Sequence, residues 1–170
     1  MSADQMIVRL FSSDEWQMYK AVRLKALHSD PHVFSSSYEA ESAHPDQRWK
    51  DGVTSPDVGI FGVFHQDALI GMTGVAVKRD DPARSTAMLW GSWLEKEWRG
   101  KGISKKMYEA RLAWARQHPS IKRVVVSHRE SNVASKKANQ KYGFLLTHSE
   151  DRVWADGTTE PEPCYELRIL

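Results

Sequence analysis

Between Trp93 and Met107 the chain reads W-L-E-K-E-W-R-G-K-G-I-S-K-K-M, an order of residue types that can hold a phosphate. Arg99, Gly100, Lys101 and Gly102 make a short turn, and a helical pattern opens directly after it with Ile103, Met107, Ala110 and Trp114. The first N–H groups of a helix have no intrahelical partner and carry the positive end of its dipole. Glycines let an anion reach that backbone without meeting a Cβ. Five cations (Lys96, Arg99, Lys101, Lys105, Lys106) stand within eleven residues beside one acid, Glu97, so the side chains reinforce the field of the helix end. The bland alternative is a tight strand-to-helix turn with solvated lysines.

Two better known phosphate turns fail on counting. No Gly-Lys-Ser or Gly-Lys-Thr stands five residues after a glycine, as a Walker loop requires. A dinucleotide fingerprint needs a third glycine where Lys105 stands, and an early βαβ unit. Metal chemistry is not expected either: the single cysteine, Cys164, excludes an internal disulfide and a Cys-based zinc site. His128, just after a predicted strand, is either a strand-end surface residue or a group facing the cleft.

The elements that must position this turn follow from periodicity. Met6 to Phe11 alternates apolar and polar side chains as a half-buried strand does. Ser12 and Glu15 form a capping box, and Trp16, Tyr19, Arg23, Ala26 and Leu27 recur at helical spacing until Asp30-Pro31. Arg23 is a charge on or beside an apolar face, either a structural ion pair or a guanidinium in a substrate cleft. Pro31 to Ser55 reads as a polar loop with one or two short helices. Val58 to Phe64 and Ala68 to Val77 form a hairpin, and Ala87 to Leu94 is a third strand, giving an antiparallel meander. The helix from Gly102 to about His118 has a wide apolar surface, and Ile121 to Ser127 returns as a strand in a parallel crossover. A short helix capped by Ser131 or Asn132 runs through Lys141, and Phe144 begins a strand. Glu150 to Pro163 is expected to be an acidic loop before a last strand, Cys164 to Leu170.

With 170 residues, no repeats and no linker, the chain predicts one domain over 1–170. A net charge of +2 gives no reason to expect nucleic acid or a membrane surface as partner. Nucleic-acid binding through Lys136, Lys137 and Lys141 ranks last, because no aromatic residues interleave there. The N-terminal stretch has acids and no apolar run of signal length, so a cytoplasmic location is the expectation.

The ordered set resembles the GNAT superfamily of N-acetyltransferases. Its signature of Arg or Gln, two residues, Gly, one residue, then Gly or Ala lies on Arg99-Gly100-Lys101-Gly102-Ile103-Ser104, departing only at Ser104. The run LWGSWLEKEWRGKGIS is similar to the family's fourth strand and turn, and Asn132 through KYGF to its later helix and strand. The segment from Arg23 through Pro31, Phe34 and Glu39-Ala40-Glu41 is similar to bacterial members whose first two helices form the acceptor side.

The resemblance implies an α/β fold with a mixed, mostly antiparallel sheet of six or seven strands, splayed near its middle, with helices on both faces. It implies acetyl-CoA as cosubstrate and a primary amine of a small molecule or peptide as acceptor. The diphosphate would sit on amides from Arg99 to Ser104, the pantetheine along the backbone at Trp93 and Leu94, with Asn132 and Ser135 close by. A cap is the other role open to Asn132. Amine attack on the thioester needs an oxyanion donor, for which an N–H near Leu94 is the candidate, a base and a proton donor to sulfur. Where many members carry a tyrosine as acid, this chain has Asn139, which can donate a hydrogen bond but no proton. Tyr142 either reaches round the helix end as the acid or packs beside Gly143. Glu39, Glu41, Glu130 or a water relay are left as base, and Arg23 and Glu41 as acceptor contacts. The acidic loop would favour a cationic amine if it lines the mouth, and a C-terminal edge strand would suit a homodimer. The reading from another class is a non-catalytic acyl-CoA-binding module.

Overall fold

The computed structural model describes residues 5–170; residues 1–4, with the first part of the expected domain and of the N-terminal stretch read above, lie outside the described residues. β1 (Met6–Leu10) pairs antiparallel with β2 (Val58–His65), which continues through the tight Gln66-Asp67 turn into β3 (Ala68–Val77) and then β4 (Thr86–Leu94). β5 (Arg123–Ser127) lies parallel to β4, and the hairpin of β6 (Leu145–Val153) and β7 (Thr159–Arg168) completes one seven-stranded sheet in the order β1-β2-β3-β4-β5-β7-β6. The expected mixed, mostly antiparallel sheet is the one found.

Helices cover both faces because adjacent strand residues point to opposite sides. Ile60 goes to a core with α1 (Trp16–Ser29) and α3 (Asp46–Thr54), where Tyr19, Ala26, Leu27 and Trp49 are buried. Its neighbour Phe61 goes to the opposite core, under α4 (Ile103–Gln117), with Tyr108, Leu112 and Ala115. The capping box opens a 3-10 turn, Ser13–Glu15, that leads into α1, with the Ser12 N–H donating to Glu15 Oε1 at 2.9 Å. α1 stops at Asp30, before the proline that cannot continue it. The polar segment after it holds the short α2 (Tyr38–Ser42) and α3. Among the described residues no helix is long and apolar enough to cross a membrane.

Two expectations are corrected. The C-terminal strand is not an edge: β7 pairs with β5 on one side and β6 on the other, and β6 is the edge. The stretch Glu150 to Pro163 is mostly strand: β6 runs on to Val153 and β7 begins at Thr159. β6 hides this because all nine of its residues are exposed, so no apolar alternation marks it. β7 hides it behind Pro161 and Pro163. In a strand the N and C=O of one residue point to the same side, and the carbonyls of these prolines accept from Glu130 and His128. The missing N–H groups therefore face away from β6, whose ladder loses nothing.

Candidate functional site

β4 and β5 pair only between Thr86–Met88 and Arg123–Val125. Beyond that the strands part, because the chain after Ser127 keeps following β7, with the His128 N–H on Pro163 O at 3.4 Å and the Glu130 N–H on Pro161 O at 3.0 Å. From Leu89 to Leu94, the one strand that β4 pairs with among the described residues is β3. Trp90 pairs with Gly74 and Trp93 with Met72, so Gly91 and Ser92 bulge opposite the single residue Thr73. Gly91 holds φ +67°, a left-handed conformation that suits glycine. The bulge leaves the extra residue unpaired and disrupts the ladder locally.

The glycine turn stands at the end of that edge. Gly100 and Gly102 have φ of +73° and +80°, and a Cβ on either would meet nothing within 4 Å, so both serve backbone conformation beside open space. Gly102 caps α4 without a side-chain bond. The Arg99 amide is already bonded to Lys96 O at 3.2 Å, so the amides without a backbone partner among the described residues run from Gly100 to Ser104. The Arg99 guanidinium also faces inward, with Nε on Leu94 O and Nη2 on Asp30 Oδ2, both at 2.8 Å. Asp30 Oδ2 accepts from Trp93 Nε1 as well, at 2.7 Å. Burial pushes the Asp30 carboxyl up, but these two donors and the charge of Arg99 outweigh it and hold it below its ordinary value. Lys106 is spent on Met6 O, leaving Lys101 and Lys105 exposed at the turn. The Ile103 side chain lies in the core, so only its backbone faces the site.

The space between the parted strands is a cleft of about 360 Å³ that brings together Trp93, Leu94, Arg99, Asn132, Ser135 and Asn139. Asn132 does cap α5 (Val133–Lys141), its Oδ1 accepting the Ser135 N–H at 3.1 Å. Asn139 is 2 % exposed; its Oδ1 accepts from the Tyr108 hydroxyl, while its Nδ2 has no partner among the described residues. Tyr108 and Arg111 line the same cleft and were not anticipated. Arg111 is buried with its Nε on Met107 O and its guanidinium 4.7 Å from the Tyr108 ring, and burial pulls its pKa down to about 10. Burial pushes the Tyr108 hydroxyl up, against the charge of Arg111. The signal for Arg111 was the one that singled out Arg23, a charge within an apolar helical stripe.

A second cleft, of about 970 Å³, opens on the other side of Trp90 and Gly91, between α1, α3 and the ends of β5 and β7. Arg23 stands in its wall and is 6 % exposed, with Nε and Nη2 on the Glu41 carboxylate at 2.9 and 2.8 Å. Burial pushes Glu41 up, but the hydrogen bonds and charge of Arg23 hold it below the usual carboxylate value. His128 borders both clefts, with Nδ1 2.6 Å from Arg129 O and Nε2 3.0 Å from the Tyr165 hydroxyl. Among the described residues no group of three or more His, Cys, Asp or Glu side chains could hold a metal ion.

Three of the residues offered as acid or base line neither cleft. Glu39 is exposed on α2, Glu130 is exposed beyond β5, and Tyr142, at the end of α5, stacks on Tyr108 at a centroid distance of 4.2 Å. The acids of the supposed loop do not make an open acidic mouth: Glu160 is bound by Arg129, Glu162 by Arg152 and Ser127, and Glu150 is exposed on β6.

Residues 3–145 match the family model described as an acetyltransferase (GNAT) domain. No curated protein matches the chain by sequence. Among solved structures it is similar to yncA from Salmonella typhimurium with its cofactor acetyl-CoA, at 14 % identity and a TM-score of 0.79 over 97 % of this chain and 94 % of that one. It is also similar to the acetyltransferase of GNAT family from Streptococcus pneumoniae, at 15 % identity and a TM-score of 0.77 over 96 % and 99 %. A third likeness is to the acetyl transferase from Salmonella typhimurium that modifies the N-terminal serine of ribosomal protein L7/L12, at 17 % identity and a TM-score of 0.75 over 97 % and 95 %. At these identities the structural likeness speaks for the fold, while the family model covers most of the chain. With a splayed sheet, a glycine turn at the open strand and that match in hand, the chain belongs to the GNAT acetyltransferase family.

Proposed function

We propose that residues 1–170 form one acyl-CoA N-acyltransferase domain that moves an acetyl group from acetyl-CoA to a primary amine. When bound, the cosubstrate supplies an activated thioester. The observation that carries the reading is the parting of β4 and β5 after Met88 and Val125, which among the described residues leaves one edge of β4 unpaired beside a glycine turn with amides that lack a backbone partner. An extended pantetheine chain can pair with such an edge as an added strand would, and a diphosphate fits amides that no Cβ crowds.

In this reading the amides from Gly100 to Ser104 hold the diphosphate, with Lys101 and Lys105 adding charge, and Arg99 acts as the brace that fixes the turn to β4. The backbone at Trp93 and Leu94 lines the pantetheine, and Asn132 and Ser135 face it across the cleft. N–H groups near the Gly91 bulge and Leu94 offer hydrogen bonds where negative charge develops in acyl transfer. Asn139 Nδ2, which lacks an acceptor among the described residues, donates to the departing sulfur. The Tyr108 hydroxyl donates to Asn139 Oδ1 and so orients that amide, and the departing thiolate takes its proton from water. The amine enters by the wider cleft. Glu41 is clamped by Arg23 and Glu162 by Arg152 and Ser127, so neither serves as base, and water carries the amine proton away.

Calorimetry with acetyl-CoA, together with release of coenzyme A thiol over a panel of amines, tests the reading. Binding with turnover supports it; binding without turnover for any amine leaves the acyl-CoA-binding module. No binding sinks both.

A further inference from the structure

Five arginines and three carboxylates line the wider cleft. Two of the carboxylates are neutralised there, Glu41 by Arg23 and Glu162 by Arg152, and Asp51 is left exposed with Gln47 on its Oδ1. On the cationic side, Arg48 and Arg79 are exposed and have no ion-pair partner among the described residues. Arg23 is the deeper feature. Glu41 takes its Nε and Nη2, the rings of Phe34 and Trp90 lie 5.0 and 5.5 Å from its guanidinium carbon, and the buried Nη1 has no partner among the described residues. Nη1 is turned to the β4 bulge, since a Cβ at Gly91 would stand 3.4 Å from it. Gly91 borders both clefts, so this orphaned donor stands where they meet. A buried charged donor without an acceptor is rare and costly, and an anionic oxygen satisfies it.

We propose that the wider cleft recognises the carboxylate of a free α-amino acid, received by Arg23 Nη1 beside Gly91. The proposal rests on the acetyl-transfer reading and narrows its acceptor. In an α-amino acid the amine and the carboxyl group share one carbon, so a carboxylate held at Gly91 brings the amine to the same stretch of β4. The aromatic walls, Tyr19, Phe34, Trp90 and Trp154, then face the amino-acid side chain, and Arg48 and Arg79 draw the anion in. A peptide N-terminus has no such carboxylate and would leave Nη1 unpaired. Arg23 thus binds the acceptor through the third arm of a guanidinium whose other two arms Glu41 holds still.

The test compares L-phenylalanine and L-leucine with their amides and with phenylalanyl-glycine, reading coenzyme A release. We expect kcat/KM for the free acids to exceed that for the amides and the dipeptide by about 100-fold, because a site built around a charged hydrogen bond rejects ligands that lack it. Arg23→Lys keeps the charge beside Glu41 but removes the Nη1 arm, and should shrink that ratio to roughly 10-fold or less. Equal rates for acids and amides, or a preference for the dipeptide, overturn the proposal on the native protein alone, whether or not the variant folds. If nothing is turned over, calorimetry of L-phenylalanine and its amide on the native protein decides. Selective binding of the acid sustains the carboxylate site even where acetyl-CoA fails to bind and the transfer reading falls. Equal or absent binding refutes it.

Discussion

The two sides of β4 are made of different material. On the splayed side the site is backbone: an open strand edge from Leu89 to Leu94, a bulge at Gly91 and the amides from Gly100 to Ser104. On the other side it is side chains brought from distant parts of the chain, above all Arg23 of α1 on Glu41 of α2 and Arg129 on Asp156 and Glu160. A backbone site tolerates substitution of most side chains but not of the glycines that shape it. A side-chain site fails when one partner of a buried pair is lost. Binding of a shared cosubstrate and choice of acceptor can therefore vary independently within one fold.

The largest expected effect breaks the side-chain half. Glu41→Gln strips the charge from the partner of Arg23, whose side chain is 8 % exposed, and should cost about 3–5 kcal/mol in urea unfolding. Replacing both Arg23 and Glu41 with apolar residues of similar size should recover most of that stability while acceptor selectivity stays lost. Next comes the backbone half. Gly102→Glu puts a side chain at φ +80° and an anion at the helix start, and should weaken acetyl-CoA binding by roughly 100-fold in calorimetry with the unfolding midpoint far less disturbed than in Glu41→Gln. Tyr108→Phe should lower kcat by about 10-fold with the KM for acetyl-CoA nearly unchanged, since it frees the amide whose hydrogen bond steadies the departing thiolate.

Each half also holds one shielded carboxylate, half-buried Glu41 beside Arg23 and buried Asp30 under the turn, and both are held below their ordinary values of 4.5 and 3.8. A depressed folded value means stabilisation that is complete above the unfolded value and is lost as pH falls through the folded one. Urea midpoints should therefore stay level through neutral pH and drop below about pH 4, and the apolar double replacement at Arg23 and Glu41 should remove only the Glu41 share of that drop. The smallest effect sharpens the contrast at the rim. Arg79→Ala, at an exposed cation, should raise the acceptor KM about 2- to 3-fold, and high salt should mask the change.

What could be read from the sequence follows the same division. The turn, the strand before it and the helix after it are contiguous, so Gly100, Gly102 and the periodicity from Ile103 announced the backbone site. Arg23 was marked as a charge in an apolar stripe, but nothing local tied it to Glu41, eighteen residues on. Asn139 was found through its place in the later helix, whereas Tyr108, which reaches it from α4 thirty-one residues earlier, was counted only as part of an apolar stripe. Arg99 carried a cation in the expected place, and only the fold could reveal that its arm is turned to Leu94 and Asp30. β6 was hidden past His148 because a strand exposed along its whole length shows no alternation, and β7 because its prolines point their missing donors away from the hairpin.

Hydrogen exchange of the native protein with and without acetyl-CoA tests the central claim most directly, since the claim concerns particular amides. The account predicts slowed exchange at Gly100 to Ser104 and along the open edge of β4 from Leu89 to Leu94, with α2 and α3 unchanged. Unaltered exchange at the glycine turn under saturating acetyl-CoA, or protection confined to the arginine-lined cleft, would contradict it.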